Sequence, residues 1–127
     1  MNIVGTGMSG LVGTRIKALL GHTCTFTDLS RETGFDITID SSIAPAITSS
    51  DAPWLFHLAA NTDVQGAEKE RDLGAESMSW KINVDATDRV AKLASDTGKR
   101  MLYLSTDYVL KKTKTSPYTE EDTPNPK

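Results

Sequence analysis

The sequence predicts an α/β fold, a doubly wound parallel sheet covered by helices. Three observations carry that expectation. Strand-like and helix-like segments alternate along the chain, with no internal repeat. A glycine-rich turn follows the first strand-like segment and opens the first helical one. The run Trp54-Leu55-Phe56-His57-Leu58-Ala59-Ala60 is continuously apolar between Pro53 and Asn61, as suits a strand buried on both faces.

Each element follows from local pattern. Asn2-Ile3-Val4-Gly5 reads as a short opening strand, and the turn runs from Gly5 to Gly13. Val12, Ile16, Leu19 and Leu20 then recur at helical spacing, with Gly21 as the stop. Thr23 to Thr27 is β-branched and aromatic, a second strand ending at Asp28; Phe35-Asp36-Ile37 reads as a very short third. Ser41 to Ser49 reads as a weak helix entered by Asp40 or Ser41 as cap. After the fourth strand, residues 63 to 76 read as a solvated loop and helical turn. The longest helix is expected over about Ala75 to Thr97. Met78, Ile82, Ala86, Val90, Leu93 and Ala94 form its apolar stripe, and Gly98 sits where a C-terminal glycine belongs. Met101-Leu102-Tyr103-Leu104-Ser105 is the fifth strand. From Thr106 onward the chain is loop-like, with Lys111, Lys112 and Lys114 as solvated charges.

Composition narrows the function. At 127 residues the chain fits one domain, 1–127, around one core. AVILMFWYC make up 38%, which argues against disorder, collagen and coiled coil. The net charge of -3 argues against a nucleic-acid partner, whose footprint is basic. No apolar run approaches the roughly 20 residues of a membrane span. Gly5, Thr6 and Gly7 interrupt the only apolar opening a leader could use. A single cysteine, Cys24, forms no internal disulfide and fits a cytoplasmic location. No metal-ligand spacing is present.

The chemistry begins at the glycine turn. Gly5-x-Gly7-x-x-Gly10 overlaps Gly7-x-x-Gly10-x-x-Gly13. Glycine lets the backbone turn tightly and lets a pyrophosphate approach without a Cβ in the way. The following helix offers free N–H groups and a positive dipole end. Strand before and helix after are the context that makes this a Rossmann-like dinucleotide site rather than a plain tight turn. Asp28 lies about 20 residues beyond the glycines, where an acid accepts hydrogen bonds from the adenosine ribose of NAD. Arg31 is placed to meet the 2′-phosphate of NADP. The two point in opposite directions, and the cofactor stays NADP or NAD.

Further motifs carry a resemblance. Gly7-Met8-Ser9-Gly10-Leu11-Val12-Gly13 resembles the cofactor loop of the extended short-chain dehydrogenase/reductases. His57-Leu58-Ala59-Ala60-Asn61-Thr62 is similar to their fourth-strand motif, and Leu104-Ser105-Thr106-Asp107-Tyr108-Val109 to their fifth-strand motif. The wording "STDYV" followed by "PYTEEDTPNP" most resembles the dTDP-4-dehydrorhamnose reductase family, along essentially the whole chain. The resemblance implies strand order 3-2-1-4-5 and an NAD(P)H-dependent reduction of a nucleotide-linked 4-keto sugar, serving dTDP-L-rhamnose synthesis. It implies that the backbone of Met8 to Val12 holds the pyrophosphate and that Asp36 and Ile37 flank the adenine. Ala59, Ala60 and Thr62 would line the nicotinamide side. Asn83 would help organise a proton-relay water, and Thr106 would hydrogen-bond the substrate carbonyl. Gln65 departs from the pattern, standing where family members carry an acid.

The family's proton donor is a Tyr-x-x-x-Lys pair on a later helix, beyond a Pro-rich stretch like Pro124-Asn125-Pro126. The one match here, Tyr108 to Lys112, starts in the loop leaving strand five, so we read it as coincidental. The expectation is therefore an N-terminal portion of a reductase, truncated before the remaining strands, the acid and the substrate domain, and inactive alone. Strand five would then be an open edge, inviting self-association or cover by the 106–127 tail. Two other readings share the fold: an NADP-binding regulatory subunit resembling the methionine adenosyltransferase beta subunit, and a nucleotide-sugar epimerase or dehydratase.

Overall fold

The computed structural model describes residues 1–110 and 116–125. Lys111, Lys112, Lys114 and Pro126 lie outside the described residues, and with them the reading of a solvated basic loop. The strands β1 (Asn2–Thr6), β2 (Thr25–Leu29), β3 (Trp54–His57) and β4 (Arg100–Tyr103) form one parallel sheet in the order β2-β1-β3-β4. This is the predicted order without its outermost strand. Phe35–Ile37 does not join the sheet, because its backbone is committed locally. Phe35 N–H donates to Ser30 O at 3.0 Å, Asp36 N–H to Ser42 Oγ at 2.9 Å, and Asp36 Oδ1 accepts from Thr38 N–H at 2.8 Å. An aspartate closing such a turn competes with a ladder for the same groups.

Helices α1 (Leu11–Leu20) and α2 (Asp40–Ser49) complete crossovers on opposite sides of the sheet. Ile39 is the N-cap of α2 and makes no side-chain bond, so neither Asp40 nor Ser41 plays that part. Residues 63–76 hold α3 (Val64–Lys69), capped by Asp63 accepting from Gly66 N–H at 2.9 Å, and a 3₁₀ turn, Arg71–Glu76. The long helix starts three residues later than its apolar pattern suggests. Ser77 caps α4 (Met78–Trp80), a π-turn covers Lys81–Asp85, and α5 (Ala86–Asp96) continues it.

The core lies between the sheet and α2 and α5. Val4, Leu29, Leu55, Ile43, Ile47, Ala86, Val90 and Ala94 are all buried there, with Met101 packed alongside. His57 belongs to this face. Its Nδ1 meets Thr6 Oγ1 at 2.6 Å and its Nε2 meets Thr87 Oγ1 at 3.0 Å, so one ring ties β1, β3 and α5. It also stacks on Tyr103, with ring centroids 5.7 Å apart. Among the described residues α1 is the helix on the opposite face, and β3 is not buried on both sides: Trp54 and Phe56 are half-buried. The described tail residues do not cover β4 either, since Leu102, Tyr103 and Leu104 stay exposed. The tail's Asn125 N–H donates instead to Val109 O at 2.8 Å.

Candidate functional site

The carboxyl ends of β1, β2 and β3 open into a cleft of about 460 Å³. Gly7 forms its floor with φ +69, and a Cβ there would sit 2.5 Å from Ala59 N. Left-handed backbone and close approach to the end of β3 therefore both demand glycine. A Cβ on Gly13 would strike the backbone of Met8, which fixes how closely α1 returns to the loop. Gly10 faces the cleft, with only Gly7 O near, at 3.2 Å, the space a phosphate needs. Gly10 is the N-cap of α1 and makes no side-chain bond. The first-turn N–H groups, from Leu11 to Gly13, have no acceptor inside the helix and lend the end its positive dipole. Met8 is fully buried beneath the loop, and Ser9 N–H donates to Ser30 Oγ at 3.2 Å.

Other sequence-predicted residues divide. Arg31, Ile37, Ala59 and Ala60 line the cleft with the glycines. Asp28, Asp36, Thr62 and Thr106 do not. The Asp28 carboxylate accepts from Lys17 Nζ at 2.8 Å, from Ser9 Oγ at 3.4 Å and from Ser30 Oγ. Burial pushes this carboxyl up, but the bonds from Lys17 and Ser30, the Lys17 charge and the bond from Ser9 outweigh it. The group lies below its ordinary range. Asp36 is also held low, by the side-chain and backbone bonds from Thr38. Thr62 is exposed, and Thr106 Oγ1 accepts from Tyr108 N–H at 3.2 Å as the cap of a 3₁₀ turn, Asp107–Val109.

Asn83 sits in the π-turn and clamps the backbone of one residue. Its Oδ1 accepts from Asn61 N–H at 2.8 Å and its Nδ2 donates to Asn61 O at 2.9 Å. Asn61 Nδ2 in turn donates to Ser79 Oγ at 3.0 Å. The helix thus fixes the loop that carries Ala59 and Ala60. Sequence reasoning missed Ser30, Glu32, Phe35, Leu58, Asn61 and Met78 as cleft-lining residues. Met78 and Phe35 read as core or strand because an apolar residue beside a ligand cleft follows the same periodicity as one beside a helix. Among the described residues no group of three or more metal-ligating side chains occurs, and no helix is long and apolar enough to cross a membrane.

A glycine loop between the first strand and an uncapped helix, opening at the carboxyl ends of parallel strands, defines a Rossmann-like α/β protein. Residues 1–127 match the family model described as RmlD substrate binding domain. The chain belongs to that family. It is 31% identical over 126 residues to dTDP-4-dehydrorhamnose reductase of Sinorhizobium fredii (strain NBRC 101917 / NGR234), covering 99% of this chain and 40% of that protein. The crystal structure of dTDP-4-dehydrorhamnose reductase (rfbD) from Bacillus anthracis str. Ames in complex with NADP superposes with a TM-score of 0.86 at 28% identity, covering 98% of this chain and 43% of that one. A shorter match is to methionine adenosyltransferase 2 subunit beta of Bos taurus, 38% identical over 72 residues, covering 57% of this chain and 20% of that protein. The chain spans about two fifths of the length of the reductases it matches.

Proposed function

We propose that this chain supplies the cofactor-binding part of an NAD(P)H-dependent reductase of nucleotide-linked 4-keto sugars, acting on dTDP-4-dehydrorhamnose. The observation that carries the reading is the open space at Gly10 beneath the uncapped end of α1. Its shape and dipole suit a pyrophosphate, and the related Bacillus anthracis reductase is a complex with NADP. Gly7, Gly10 and the backbone of Met8 to Val12 would hold the pyrophosphate, with Leu11 and Gly13 framing it. Arg31 and Ile37 would meet the adenosine end, and Ala59 and Ala60 the nicotinamide end. When bound, the cofactor supplies the hydride; these residues orient it and keep water from its apolar side.

Proton delivery is a separate matter. The side chains lining the described cleft include no tyrosine, lysine or histidine, and Thr106 caps a turn outside it. We therefore expect dinucleotide binding without appreciable turnover. Calorimetric titration with NADPH and NADH, followed by a steady-state assay on dTDP-4-dehydrorhamnose, tests both halves. Binding of neither dinucleotide overturns the reading, and robust turnover overturns the expected inactivity.

The match to methionine adenosyltransferase 2 subunit beta favours a second reading, a nucleotide-binding regulatory subunit. A change in methionine adenosyltransferase activity on adding this chain would support it. A cytoplasmic location and self-association through the β4 edge complete the proposal; light scattering on a purified sample reads the latter, and a clean monomer counts against it.

A further inference from the structure

An acid at the end of the second strand grips a ribose only if its oxygens are free and turned into the cleft. Asp28 meets neither condition. Its side chain is 14% exposed, and both carboxylate oxygens accept hydrogen bonds from Lys17, Ser9 and Ser30. Ser30 Oγ also takes the Ser9 N–H, so the acid, two serines and the lysine close a network on the α1 side of the sheet. Among the described residues Lys17 is the cation that pairs with it. A carboxylate this sheltered would be costly to leave without one.

With Asp28 engaged, charge at the adenosine end of the cleft falls to two neighbouring side chains, Arg31 and Glu32. The Arg31 guanidinium presents a planar fork that matches a phosphate monoester. Glu32 repels an anion at the same lip and keeps the effect moderate. Resting on the dinucleotide reading above, we propose that Lys17 is a positioning residue for cofactor choice. By holding Asp28 away from the ribose, it leaves Arg31 to select a dinucleotide bearing a 2′-phosphate over one with a free ribose diol.

Titration calorimetry of the 127-residue chain with NADPH and with NADH reads the proposal as a ratio of Kd values. The parent chain is expected to favour NADPH by roughly 10- to 100-fold, the range one charge-assisted phosphate contact confers. Lys17→Met takes away the ammonium that turns the carboxylate toward α1 and leaves only the serine bonds on it, and the ratio should fall by about tenfold, whereas Lys17→Arg keeps it. In an Asp28→Asn background Lys17→Met should leave the ratio unmoved, because the effect passes through that carboxylate. Lys17→Gln, which keeps a donor without the charge, serves where the methionine variant does not fold; its ratio should also fall. A parent ratio near one, or a ratio untouched by Lys17→Met and Lys17→Gln, overturns the proposal while dinucleotide binding stands. Binding of neither dinucleotide overturns both.

Discussion

Ile3 and Val4 are neighbours in β1 that point to opposite faces of the sheet, and the two faces meet different surroundings. Beneath α2 and α5, side chains from all four strands pack into one core, and burying each large one contributes about 1.5–3 kcal/mol. On the α1 side, Ile3 and Met8 are buried, but Trp54 and Phe56 are only half covered and Leu102 is 38% exposed. The stripe on α1 itself is largely open: Val12 is 41%, Leu19 52% and Leu20 40% exposed. The helix meets the sheet through Gly13 and the half-buried Ile16 and Lys17 instead. Apolar periodicity therefore marks a face suited to cover; the cover itself comes from whatever packs there. In this chain stability rests on the α2–α5 face, while the cleft is built at the rim where the two faces meet.

The sharpest way to break that contrast is a matched pair in adjacent strands. Leu55→Ala empties a fully buried site and should cost about 3 kcal/mol; Leu102→Ala, on the open face, should cost less than about 1 kcal/mol. Urea titrations of both decide it, and equal losses would overturn the comparison.

The next effect is a pH dependence confined to the core face. Burial lowers the His57 pKa from 6.5 to about 4. The unfolded chain thus takes up the proton first, and the stability contributed by the neutral ring is complete above about pH 6.5 and lost as pH falls toward 4. At about 1.4 kcal/mol per pH unit the loss approaches roughly 3 kcal/mol. Denaturation midpoints across this window should fall, and His57→Gln should flatten the fall; a profile unchanged by that substitution contradicts the assignment.

A third pair separates strain from contact at the rim. Gly7→Ala adds a Cβ against Ala59 at positive φ, whereas Gly34→Ala, at φ +89, meets nothing within 4 Å. The first should cost about 2–3 kcal/mol and abolish NADPH binding, the second about 1 kcal/mol with binding kept. Thermal melts and calorimetry distinguish them. The smallest effect is expected at Leu19→Ser on the exposed side of α1, within about 0.5 kcal/mol of neutral; a larger loss would show that this face is covered in solution.

Local chemistry explains which features were legible in the sequence. The glycine turn was readable because Gly7 and Gly13 each answer a backbone demand no other residue meets. The stripe Ile82, Ala86, Val90 and Ala94 was readable because it meets a continuous sheet. Strand order followed from the resemblance, and the outermost strand failed because Asp36 spends its carboxylate on a turn. The role expected of Asp28 depended on what faces it. Its partner Lys17 lies eleven residues away, across a crossover, and spacing along the chain does not announce that meeting. The start of the long helix was displaced for a similar reason: Ala75 continues the pattern, but Ser77 offers the hydroxyl that accepts from Trp80 N–H.

The π-turn has a consequence for insertion and deletion. Its ladder runs from Ala86 N–H to Lys81 O, one residue more than an α-helical turn encloses. Deleting a residue there would let an ordinary turn close while Val90 and Ala94 kept their places against the sheet. If the residue lost were Asn83, the helix would become more regular and the backbone of Asn61 would lose both bonds that Asn83 makes to it, leaving the Asn61 side chain's bond to Ser79. A change in chain length at this point would trade irregularity in a helix for freedom in the cleft, at the expense of the register between Ile82 and the rest of the stripe.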